Sequence, residues 1–253
     1  MLADADTTED AVLGGRLVLR QPRRGHRFGH DAILLAAATD AQAGERACEL
    51  GAGVGAAGLA LAQRIGGLRV TLLEIDPALA ALARANAARN QLADRVDVVT
   101  LDVAAPARAF AQSGLAAASC AHALMNPPFN DPAQRLSPDA ARRAAHVGSA
   151  DTLRGWVDRA SFLLGASGTL TLIWRAEGLA DVLATLAAFG AITVLPVHPR
   201  PNAAAIRILV AAVKGSRAPL TLRPGLALND ADGRPSAAAE AVLRGGAALP
   251  LKA

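Results

Sequence analysis

Short apolar runs alternating with helix-forming stretches predict an α/β fold: a mostly parallel, doubly wound sheet of seven strands with helices on both faces. Three observations carry that expectation. The alternation begins at Arg46 and runs to Lys214 with no internal repeat and no low-complexity linker. The segment Gly51-Ala52-Gly53-Val54-Gly55 falls between the first strand and the first helix, where missing side chains let a ligand approach the backbone and the helix N-terminus. Asn126-Pro127-Pro128-Phe129 follows the fourth strand and opens a long loop, the place of an active-site segment in such a sheet.

The elements follow in order. Ala47-Cys48-Glu49-Leu50 is the first strand, and 56–65 has helix-forming composition that Gly66-Gly67 stops. Val70 to Ile75 is the second strand, with Pro77 at the start of a helix to about Asn90. Asp76 is placed to cap that helix, a reading preferred over a ligand role. Val96 to Thr100 and His122 to Met125 are the third and fourth strands. A helix over 152–164 precedes the fifth strand, Thr169 to Trp174. A helix near 179–189 precedes a sixth strand around 192–197, and 206–213 is the seventh. Residues 1–45 are expected to form an N-terminal arm with a strand and helix completing a cofactor pocket; the strand and arm fall within 1–30. The core domain is 46–214, and 215–253 is read as a loosely ordered tail or small hairpin.

Composition narrows the class. A hydrophobic fraction of 52% supports a substantial core and argues against disorder except at the ends. The start, Met1-Leu2-Ala3-Asp4-Ala5-Asp6, lacks the pattern of a secretory signal, and the apolar stretch 182–197 is interrupted by Gly190 and Pro196. Cys48 and Cys120 lack metal-ligand spacing and read as small buried hydrophobes, so no metal is expected and the expected compartment is the cytoplasm. Net charge is +4, and the only lysines are Lys214 and Lys252. Arginines crowd 16–27, recur at Arg135, Arg142 and Arg143, and recur again at Arg200 and Arg207, a distribution suited to a polyanionic partner.

The glycine loop alone does not choose its ligand. Gly51, Gly53 and Gly55 suit S-adenosylmethionine, whereas Gly53, Gly55 and Gly58 also satisfy the dinucleotide fingerprint. Glu74 stands where a ribose-binding carboxylate belongs in either case. Glu49 favours S-adenosylmethionine, because a carboxylate there could reach the cationic amino group of the methionine part. Asp102 is placed to accept from the cofactor's adenine amine, or else to cap a turn.

Asn126-Pro127-Pro128-Phe129 combines three chemistries. Two prolines fix φ and remove backbone donors, leaving carbonyls that point outward. Asn126 adds an amide that accepts and donates, and Phe129 a flat apolar face. Acceptors beside an aromatic plate suit a planar ring carrying an exocyclic amine. His122 and His146 have no evident nucleophile partner and are given structural or surface roles.

With these residues placed, the chain resembles class I methyltransferases of exocyclic amines, which have a Rossmann-like fold and an Asn-Pro-Pro-Phe/Tyr loop. Its closest resemblance is to the bacterial tRNA(valine) adenine-N6 methyltransferase family. Gln21-Pro22-Arg23-Arg24-Gly25-His26-Arg27-Phe28-Gly29-His30-Asp31-Ala32-Ile33-Leu34-Leu35 looks like that family's N-terminal motif. His198-Pro199-Arg200-Pro201-Asn202, followed by a strand with Arg207, looks like its late strand pair. The resemblance implies that Phe28, Gly29 and Asp31 border the methionine end and that Gly51, Gly53 and Gly55 cradle the cofactor. It further implies that Glu74 holds the ribose and that Asn126, Pro127, Pro128 and Phe129 grip the target base, with Asn126 also at the cofactor. It implies methylation of an adenine N6 in the anticodon-loop region of a tRNA. Methylation of guanine N2 in ribosomal RNA or of a release-factor glutamine, a non-catalytic RNA-binding role, and nicotinamide-dependent oxidoreduction stay open as alternatives.

Overall fold

The computed structural model describes residues 6–24, 27–128, 138–249 and 251, residues 138–150 by their backbone alone. Its centre is the expected sheet: β3 (Arg46–Leu50), β4 (Arg69–Glu74), β5 (Val96–Thr100), β6 (Cys120–Met125), β7 (Leu164–Arg175), β8 (Phe189–His198) and β9 (Arg207–Lys214). Their spatial order is β5-β4-β3-β6-β7-β9-β8. All run parallel except β9, which is antiparallel to both its neighbours. Strands covered on both faces need apolar side chains on both, which is why these runs are continuous and not alternating.

One face packs Leu72, Leu124, Ile173 and Leu209 against α1 (His30–Ala38) and α2 (Ala56–Arg64). The other packs Leu73, Met125, Leu172 and Ile208 against α4 (Ala107–Gln112) and α5 (Pro138–Leu163). Cys48 and Cys120 are both buried and unbridged, as expected of small core side chains. Between β4 and β5, α3 (Pro77–Arg89) starts as anticipated: Asp76 accepts from the backbone N–H of Ala78 at 2.7 Å and of Leu79 at 3.3 Å.

Several expectations need correction. The sheet has nine strands, because β10 (Thr221–Leu222) and β11 (Leu226–Ala227) pair parallel with the outer edge of β8. The segment after 214, read as a loose tail or hairpin, continues into α7 (Ala237–Leu243), capped by Ser236, which accepts from Ala239 N–H at 3.0 Å. Leu226, Val242, Leu249 and Leu251 are nevertheless buried in the core that includes α1, and Ala239 is buried as well. Glycines and prolines break up the apolar residues of this stretch, which hid their period. The short α4 lacks a side-chain cap and was not anticipated. Helix α5 begins at Pro138, well before 152, while α6 (Leu179–Thr185) ends before 189 because Phe189 already belongs to β8.

The N-terminal strand and arm prove to be a two-stranded hairpin, β1 (Thr7–Val12) with β2 (Leu17–Pro22). Among the described residues no strand of the main sheet pairs with it. Instead, Asn86 of α3 and Asn90, which caps its end, act as its hydrogen-bond partners. Asn90 accepts from Val18 N–H at 2.9 Å and donates to Val18 O at 2.8 Å. Asn86, fully buried, accepts from Arg20 N–H at 2.8 Å and donates at 3.0 Å to both Arg20 O and Val54 O. The last bond ties the hairpin to the glycine loop. Replacing Asn86 by Ala orphans these groups, and each buried unmade bond costs about 1–3 kcal/mol. The melting temperature of Asn86→Ala, read by calorimetry, should fall by roughly 6–12 °C; an unchanged value would show that the hairpin docks by packing alone.

Candidate active site

The strand order reverses between β3 and β6, and ligands of such sheets bind outside the carboxyl ends of the strands at that point. In register, Leu50 lies beside Leu73 on one side and Met125 on the other, and Glu74 beside Thr100. Gly51, Glu74, Asp102 and Asn126 therefore leave the sheet along a single edge. Sequence reasoning placed all four at the site, and the topology brings them together.

The glycine loop turns through left-handed backbone at Gly51 (φ 67°), Gly53 (φ 57°) and Gly55 (φ 87°), which non-glycine residues rarely adopt. Gly55 caps α2 with no side-chain acceptor, and among the described residues nothing lies within 4 Å of where a Gly53 side chain would start. That open side is room for a ligand against the loop. Gly51 carries a second constraint: a Cβ there would sit 2.3 Å from the indole of Trp156 on α5.

Glu74 locks the loop to β4. One carboxylate oxygen accepts from Gly53 N–H at 2.7 Å and the other from Asp76 N–H at 2.8 Å. A carboxylate has about four acceptor positions, so two remain for donors from a ligand. Glu49 is buried behind the loop and accepts from Gly58 N–H at 2.7 Å. Burial pushes its carboxyl up to about 8; the Gly58 N–H opposes the rise and the charge of Glu74 adds to it.

Asn126 ends β6 half-buried. Its side-chain Oδ1 is shut off from solvent with no hydrogen-bond partner among the described residues. An orphaned acceptor at a buried strand end calls for a donor from outside the protein. Pro127 behind it is buried and Pro128 is exposed. Phe129 lies outside the described residues. Asp102 is exposed and accepts from Ala104 N–H at 2.8 Å, the turn-capping contact foreseen as its alternative role.

The N-terminal motif enters from above the sheet. Phe28 packs on the core while its N–H donates to Gln21 Oε1 at 3.0 Å, and Gly29 caps α1. Asp31 pairs with the guanidinium of Arg207 at the start of β9, at 2.8 Å. The early and late motifs thus meet through one ion pair, a contact the sequence did not suggest. His198, at the end of β8, bonds through Nδ1 to Ala203 O at 2.8 Å.

Two site residues were missed. Ile75, directly after Glu74, is 60% exposed, an apolar face set beside that carboxylate. An apolar residue following a strand-end carboxylate was the available signal. Trp156 had none, since only the fold lays α5 on the glycine loop.

Comparison with known proteins agrees with this geometry. Residues 27–175 match the family model of the methyltransferase small domain. The chain belongs to that family. Family membership makes S-adenosylmethionine the cofactor and removes the dinucleotide alternative; the open side at Gly53 and the acceptor capacity of Glu74 leave room compatible with it. A tRNA1(Val) (adenine(37)-N6)-methyltransferase of Porphyromonas gingivalis is 34% identical over 160 residues, 62% of this chain and 61% of that protein. One of the same name from Trichodesmium erythraeum is 30% identical over 169 residues, 64% and 66% of the two chains. The chain thus spans less than two thirds of these curated relatives. A crystal structure of a predicted O-methyltransferase from Agrobacterium tumefaciens superposes with a TM-score of 0.74 at 31% identity, covering 87% of this chain and 98% of that one.

Gly51→Ala meets both left-handed strain, about 1–2 kcal/mol, and the Trp156 ring. Adding Trp156→Ala should restore part of the lost stability in a double-mutant cycle; additive losses would show that the ring does not confine Gly51. Glu49 makes a second prediction. Its folded-state pKa is raised, so the folded chain holds a proton that the unfolded chain releases, and stability is lost as pH rises from about 4.5 through about 8. Glu49→Gln cannot ionise, so denaturant titrations should show it gaining on the parent between about pH 5 and about pH 9. A constant difference would place the Glu49 carboxyl in contact with water.

Proposed function

We propose that this methyltransferase acts on the exocyclic N6 amine of an adenine in tRNA, in the anticodon-loop region. The observation that carries the reading is the buried, unpartnered Oδ1 of Asn126, at the strand-switch edge beside the glycine loop. An amine has two N–H groups to offer, one for Asn126 Oδ1 and one for the Pro127 carbonyl. Relatives named as tRNA1(Val) adenine-N6 methyltransferases support the substrate class. Exposed arginines near this edge, Arg24 and Arg200, suit a polyanion; Arg135 lies outside the described residues, as do the side chains of Arg142 and Arg143.

S-adenosylmethionine, when bound, supplies an electrophilic methyl group. The protein's task is positioning. The target adenine leaves its stack and enters the pocket, as enzymes acting on bases require. Phe129 stacks on the ring, an interaction worth about 1–3 kcal/mol per base. Asn126 and Pro127 accept from N6, drawing its lone pair out of ring conjugation and aiming it at the methyl carbon. The same oxygens stabilise the nitrogen as it turns cationic, and its proton then leaves to water. Glu49, its carboxyl pushed up to about 8 by burial, would hold the cationic amino group of the cofactor's methionine part.

Asn126→Ala should keep S-adenosylhomocysteine affinity within about threefold in calorimetry, while turnover falls by at least about 100-fold. Near-parental turnover would overturn the mechanism. Labelled methyl transfer to separate tRNA, ribosomal RNA and release-factor pools, followed by nucleoside mass spectrometry, tests the substrate. Label appearing on guanine, glutamine or a hydroxyl oxygen would replace N6-adenine as the acceptor; the Agrobacterium relative's name points to the last.

A further inference from the structure

We propose a second binding site, for a small phosphate-bearing anion, at the amino-terminal edge of the sheet between Arg46 and Arg69. These arginines open β3 and β4 and stand directly opposite each other in register. Neighbouring strands lie about 4.8 Å apart, so the two side chains start close together. They project to the face that carries α4 and α5, because Cys48 and Leu73, at even spacing along the same strands, belong to that core. Neither guanidinium has an ion-pair or hydrogen-bond partner among the described residues. Like charges placed opposite on paired strands repel, and no carboxylate among the described residues pairs with either guanidinium.

Both arginines line a cavity of about 360 Å³. Its wall brings hydroxyls from Thr71, Ser113 and Ser119, and its roof is the turn at Gly114 and Leu115 that follows α4. Asp97 is the one carboxylate on the lining, which leaves a net positive charge facing the hollow. Two forked donors with converging hydroxyls match the oxygens of a phosphate, and arginine recognises that geometry bidentately. The hollow is concave and sized for phosphate or a phosphorylated sugar, not for a duplex backbone. About 16 Å of strand separates Arg46 from Gly51, so this site is distinct from the methyl-transfer edge. It does not depend on the substrate proposed above.

Isothermal titration with inorganic phosphate, and separately with ribose 5-phosphate, at constant ionic strength tests the proposal. The parent protein should bind saturably, and the double variant Arg46→Gln/Arg69→Gln should bind at least about tenfold more weakly. Tighter binding of ribose 5-phosphate identifies a sugar monoester as the ligand; equal binding identifies free phosphate. Both outcomes support the site. No saturable binding by the parent, or unchanged binding by the variant, overturns it. Because neither guanidinium has a partner to lose, the variant should melt with the parent. If it does not fold, phosphate titration of the parent's arginine Nε resonances decides: shifts at Arg46 and Arg69 support the site, and shifts confined elsewhere overturn it.

Discussion

The parallel pairing of β3 with β4 on one side and β6 on the other is the constraint from which the site follows. It ends three strands at one level and reverses the winding between β3 and β6, so their following loops diverge and leave a crevice. A slip of one residue in either pairing would turn every side chain on the strand to the opposite face. Glu49 would then leave Gly58, and Asn126 would leave the crevice. Apolar residues on both faces, such as Leu72 and Leu73, hold the register because each must meet its own core.

Around that crevice the polar groups are accounted for almost completely by backbone partners. Glu74 binds the loop at Gly53 and the end of β4 at Asp76, while Asn86 binds the loop at Val54 and the hairpin at Arg20. These bonds hold the glycine loop in a left-handed course that glycine adopts freely, without occupying its open side. Against that background the unpartnered Oδ1 of Asn126 stands out. Buried acceptors are rarely left unmade, so this one is open to a donor from outside the chain.

A similar contrast separates the two edges of the sheet. At the carboxyl edge Arg207 is paired with Asp31, binding the late strand to the start of α1. At the amino edge Arg46 and Arg69 face a hollow with no such partner. Charge that is compensated within the chain builds the fold; charge that is left over is available to a ligand.

By itself the sequence determined the order and type of the central elements, the Asp76 cap, the glycine loop and the Asn-Pro-Pro segment, because each is specified by neighbours within a few residues. Apolar period, turn chemistry and capping are local, and local signals survive in a string of letters. Tertiary structure alone decided the rest. Trp156 confines Gly51, Arg207 joins Asp31, Asn86 stands in for a missing strand, and scattered residues such as Val242 and Leu251 dock the C-terminal segment on α1. Each of these joins residues far apart in the chain, and their partners are set by which surfaces the folded sheet leaves to be covered.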